Sequence, residues 1–112
     1  MAGNYDITIE QGATFTLSMT WRDSAGALVD LTNYTARMKA KDGTGAIVIS
    51  LTQTDGIALG GAAGTIVITR SATLTAGYTF TRGAYDLELV SAAGVVTRLI
   101  EGQVIVKPEV TT

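Results

Sequence analysis

Residues 13–22 alternate strictly, with Phe15, Leu17, Met19 and Trp21 on one side and Thr14, Thr16, Ser18 and Thr20 on the other. Side chains of an extended chain point to opposite faces in turn. This spacing therefore predicts a strand with one buried face and one wet, hydroxyl-bearing face. The same period recurs along the chain. Residues 5–10 put Tyr5, Ile7 and Ile9 on one face, and residues 36–41 set Ala36, Met38 and Ala40 against Arg37, Lys39 and Lys41. Residues 83–91 turn Tyr85, Leu87 and Leu89 inward and Asp86 and Glu88 outward. Residues 46–52 differ, because Ile47, Ile49 and Leu51 are opposed by Val48. A strand apolar on both sides is expected to be central in its sheet or covered on its second face.

Shorter strands are predicted at residues 27–31, 57–59 and 65–70. A long last strand follows at 95–106, with a bulge where glycine interrupts it at Glu101 and Gly102. Pro108 ends that ladder because it has no amide hydrogen to donate, and residues 109–112 read as a frayed tail. Aspartate and glycine mark turns at 23–26, 41–45, 54–56 and 92–94. Residues 30–35 form a tight turn or a single helical turn whose Leu31 and Tyr34 plug the end of the core. Gly60, Gly61 and Gly64 belong to a flexible loop. Residues 71–77 carry the one helical signal, one to two turns around Leu74 between an N-cap at Ser71 and a C-cap at Gly77. About seven to nine short strands with turns every 8–12 residues or so indicate an all-β fold. The expected form is an antiparallel immunoglobulin-like β-sandwich over residues 1–112 with one short helical turn; a small barrel is the alternative.

Composition narrows the chemistry. The chain has 112 residues with neither cysteine nor histidine. That removes disulfides, thiolate nucleophiles, the usual general base and the commonest transition-metal ligand. A net charge of −2 argues against nucleic acid, whose phosphates need clustered Lys and Arg. Charged residues are 16% of the chain, against about 25% in ordinary globular proteins, and the mean hydropathy is +0.31. Two explanations stand: solubility supplied by hydroxyl groups, or a surface covered by partner subunits. No run of apolar residues is long enough to span a membrane. Residues 1–6 have neither the basic nor the apolar part of a signal peptide, so synthesis in the cytosol is expected.

Candidate sites are few, and each has a plain structural explanation. The 60–64 glycines lack the Lys-Ser/Thr of a phosphate loop and open a strand rather than a helix. Asp86 and Glu88 share a strand face roughly 7 Å apart, a spacing that suits a glycosidase pair or a hard cation. The alternating Arg37, Lys39 and Lys41 offer them cross-strand partners instead. Asp23, Asp42 and Asp55 stand alone in their loops, as turn formers rather than calcium ligands. Trp21 reads as core. Tyr5, Tyr34 and Tyr78 form no stripe, so a glycan platform is a minority reading. A serine nucleophile would lack its base. No catalytic, metal or cofactor site is expected.

Several stretches in order carry a family likeness. They are residues 4–15, then 17–26 with the Asp23-to-Gly26 turn, then 29–38 beginning Val29-Asp30-Leu31-Thr32-Asn33-Tyr34, and near the end 85–89 and 96–102. Together they resemble small tailed-phage and prophage virion proteins and the amino-terminal β-sandwich of phage baseplate upper proteins. The resemblance spans nearly the whole chain. It implies a non-enzymatic structural component of the virion, assembled in the host cytoplasm: a tail or baseplate adaptor, or a decoration subunit. Its partners would be other virion proteins or copies of itself, with neither nucleic acid nor membrane. The expected contacts are Val48 on the doubly apolar strand, Ile105 facing outward on the last strand, and the loop of Gly60, Gly61 and Gly64. The alternative is a carbohydrate- or host-surface-binding β-sandwich module that takes a host glycan.

Overall fold

The computed structural model describes residues 3–108; the expected frayed tail at 109–112 lies outside them. Strands form where the alternation is clean: β1 (Gly3–Asn4), β2 (Ile7–Glu10), β3 (Phe15–Thr20), β4 (Thr35–Lys41), β5 (Ile47–Thr52), β6 (Ile57–Leu59), β7 (Thr65–Arg70), β8 (Arg82–Val90) and β9 (Val96–Lys107). A five-residue helix, α1 (Ala72–Ala76), joins β7 to β8. The strands make two sheets. The larger has the order β1-β9-β8-β4-β5, with β2 also on β9; the smaller is β3-β7-β6. The architecture is an all-β sandwich.

Apart from the exposed β1, the strands turn their apolar faces to the space between the sheets. Ile7, Met38, Leu51, Leu87, Leu89 and Val104 from the larger sheet meet Ile66 and Ile68 from the smaller one, all buried. Each such side chain contributes about 1.5–3 kcal/mol on burial, far more than any surface pair in the molecule. Leu31 is buried and Tyr34 packs on the core, as the plug at the end of the sandwich requires.

Four expectations change. The pairing is not wholly antiparallel, because β1 and β2 run parallel to β9. Residues 27–31 form no strand beyond an isolated Arg22–Leu28 bridge. That segment is spent on the plug: Asp30 accepts hydrogen bonds from the Thr32 amide and hydroxyl, and Asn33 takes a φ of 66°. Far from being central, β5 ends its sheet. Its apolar run exists because Val48 is an extra residue: Ala40 pairs with Ile49 and Lys41 with Ile47. Such a bulge turns the neighbouring side chain out, leaving Ile47 exposed. The bulge in β9 is at Leu99 rather than at Glu101–Gly102, since Leu87 pairs with Ile100 and Glu88 with Arg98.

Helix α1 begins where Ser71 predicts, its side chain accepting from the Leu74 amide at 3.4 Å. Gly77 caps its end in a right-handed conformation, and the buried residue of the helix is Thr75. The Thr75 hydroxyl accepts from the Gly12 amide at 3.1 Å and donates to the Ala13 carbonyl at 2.8 Å. This ties the helix to the β2–β3 corner.

Candidate functional site

Charge gathers on the outer face of the larger sheet. Antiparallel register sets Arg37 opposite Glu88 and Lys39 opposite Asp86. Arg37 Nε lies 2.8 Å from Glu88 Oε1, and Arg98 reaches Asp86 at 3.4 Å and Glu101 at 3.5 Å. The two carboxylates considered for hydrolysis are therefore each held by an arginine. Beyond Asp86 on the same face of β8, Ala84 stands opposite Lys41 on one side and Gln103 on the other. One short side chain among long ones leaves shallow, open depressions lined by Lys39, Lys41, Asp86, Glu101 and Gln103.

The aspartates considered for calcium serve their turns. Asp23 accepts from the Ala25 and Ala27 amides, and Asp42 from the Thr44 and Ala46 amides. The Thr44 hydroxyl and then its amide hold the Asp42 carboxyl below the usual carboxylate range, as Thr32 does for Asp30. Asp55 pairs with Arg70 at 3.1 Å. Among the described residues, no three acidic side chains converge on one point. The tyrosines do not share a platform. Tyr34 stands edge-on to Trp21, with centroids 6.1 Å apart, and Tyr78 tilts on Phe80.

The five expected contact residues fall in three separate places. Val48 is half-buried at the β5 bulge. Ile105 is half-buried on the outer face, between Thr8 and Arg82. Gly60, Gly61 and Gly64 do not make a loose loop. They frame a 3-10 turn over Gly61–Ala63, closed by Gly60 N–H donating to Thr65 O at 2.8 Å. Gly61 O accepts from Leu31 N–H at 2.9 Å, and Gly64 O from Trp21 N–H at 2.8 Å. Gly64 is buried, with a φ of 68°, where a Cβ would meet the Val29 carbonyl at 2.9 Å. Those glycines clamp the 21–34 segment to the smaller sheet, and the exposed part of the turn is Gly60, Ala62 and Ala63.

A feature that periodicity alone misses is the outer edge of β3. Among the described residues, β3 pairs within the sheets only with β7. Gly60 donates to Thr65 O and Thr69 donates to Gly56 O, so alternate β7 residues starting at Thr65 face β6. Ile66, Ile68 and Arg70 then face Met19, Leu17 and Phe15. It follows from strand alternation that the N–H and C=O groups of Thr16, Ser18 and Thr20 point away from the sheet. Their side chains are exposed, while Phe15, Leu17 and Met19 are only half-buried. Nothing in a run such as residues 14–21 tells an edge strand from an inner one.

No protein-family model matches this chain, and no curated protein matches it.

Proposed function

We propose that this chain is a non-enzymatic structural subunit of a tailed-phage virion, a tail or baseplate adaptor or a decoration protein, with an immunoglobulin-like topology. The observation that carries the reading is the open edge of the six-residue β3, where the main-chain groups of Thr16, Ser18 and Thr20 point outward beside half-covered Phe15, Leu17 and Met19. Such an edge invites a strand from another chain. The sequence likeness to small phage virion proteins supplies the setting. Strand order supports the topology: β9-β8-β4-β5 facing β3-β7-β6 follows the G-F-C-C′ and B-E-D order of immunoglobulin variable-type sheets. The inter-sheet disulfide of antibody domains has no counterpart in a chain without cysteine; aliphatic side chains fill the same space. Asp86 and Glu88, neutralised by Arg98 and Arg37, serve as cross-strand partners in this reading.

The test is mass spectrometry of purified particles from cells carrying the gene, followed by cryo-EM of those particles. Stoichiometric presence of the chain is expected, at a symmetric position on tail, baseplate or capsid. Its absence from intact particles would overturn the reading.

A further inference from the structure

We infer that a second copy of this chain pairs with the first through β3, edge to edge and antiparallel, across a two-fold axis at Ser18. The inference rests on the reading that the chain works by mating with other subunits, and it names the partner. Other strand edges are poorly suited to the task. β5 carries the bulge at Val48, and Arg70 Nη2 reaches its Ser50 carbonyl at 3.4 Å. β6 has three residues. The β1–β2 edge is broken at Tyr5 and Asp6, where Asp6 turns back to accept from the Gln103 amide at 3.0 Å. Among the described strands, β3 is the uninterrupted six-residue edge, so the matching edge on a second copy is β3 again.

The strand is also complementary to itself. An axis at Ser18 sets Ser18 against Ser18 and Thr16 against Thr20 of the second copy. All of these residues have outward main-chain groups, and all lie within the strand. Leu17 then faces Met19 of the second copy on the core side, so apolar meets apolar and hydroxyl meets hydroxyl. No ionisable side chain lies between Phe15 and Thr20, so no like charges are brought together. The smaller sheets of two copies would merge into one of six strands. An edge of this length buries less than the roughly 1,200 Å² of a stable interface. Association is therefore concentration-dependent in solution and is reinforced where a particle holds copies side by side.

Sedimentation velocity from about 0.01 to 1 mM tests this together with cross-linking. The chain has no cysteine, so Ser18→Cys provides a single thiol. A short bis-maleimide should link Ser18→Cys chains into dimers, and should not link chains carrying Ser50→Cys on the β5 edge. Ser18→Pro should be monomeric throughout with an unchanged melting curve, because the amide it loses points outward. Ser18→Lys checks the same edge without fixing φ. Monomeric wild-type protein at the highest concentration, or dimers unaffected by both substitutions, would overturn the pairing. A monomeric chain that enters particles only when Ser18 is intact would mean a different protein supplies the strand; that result ends self-pairing and leaves the virion role standing.

Discussion

Gly102 shows how a single residue can be read correctly as special and wrongly as to why. Its Cβ would meet the Tyr5 carbonyl carbon at 2.8 Å and Asp6 Oδ1 at 2.9 Å. The glycine is there because the backbone of residues 5 and 6 crosses it, and the Tyr85 hydroxyl donates to the same Tyr5 carbonyl. Sequence shows a glycine in a strand; it cannot show which distant backbone passes over it. Gly102→Ala should destabilise the fold by about 1–3 kcal/mol through overpacking, measured by urea denaturation. Tyr85 gives a pH signature. Burial, with the negative charge of Asp6 adding to it, pushes its phenol well above the ordinary tyrosine range. A group whose pKa is raised by folding favours the native state fully below its unfolded value, about 10, and less as pH rises beyond it. Wild-type stability should therefore fall between about pH 10 and 12, above that unfolded value. Tyr85→Phe, though weaker at neutral pH by about 0.5–1.5 kcal/mol for the lost hydrogen bond, should lack that part of the decline. Melting curves of both proteins across this range read the difference; parallel declines would contradict the assignment.

Among the elements, the existence of most strands was legible, residues 27–31 apart, and strand neighbourhood was not. Alternation of Ala36, Met38 and Ala40 with three cations fixes which face of β4 is buried. The apolar run around Val48 is read as central or covered on its second face because a bulge and a doubly buried strand leave the same composition; the sheet order removes the first of these. Helix α1 was legible from Ser71, but its buried contact was not. Thr75 does what a nonpolar helix residue would be expected to do, since its hydroxyl finds Gly12 and Ala13 across the β2–β3 corner. Thr75→Val keeps the volume and strands the Gly12 amide. A loss of about 1–3 kcal/mol is expected from an unsatisfied buried group, with faster hydrogen exchange at residues 11–13 than elsewhere. The exposed Arg37–Glu88 pair should matter less, at about 0.2–1 kcal/mol, so the corner hydrogen bonds outrank the charge lattice in holding the elements together.

At the scale of the whole molecule, the pattern of short alternating strands led to a two-sheet sandwich. The parallel return of β2 onto β9 had no local signal, because it joins the two ends of the described chain. The open edge follows from that same choice: β1 and β2 side with β9, and β3 is left with one neighbour. Both sheets nevertheless share one interior. Detaching β3-β7-β6 would expose Ile66 and Ile68 together with Leu87 and Leu89 beneath them, at about 1.5–3 kcal/mol each. That sum rivals the 5–15 kcal/mol or so that holds a typical domain folded, so the smaller sheet cannot leave alone. The single tryptophan, Trp21, sits at the end of β3 and reports on the smaller sheet, whereas far-UV circular dichroism is dominated by the larger one. In urea the two signals should give one midpoint and one slope. A fluorescence transition at lower urea would mean that the smaller sheet opens first, and that the half-covered face of β3 is loose rather than an edge held ready for a neighbouring strand.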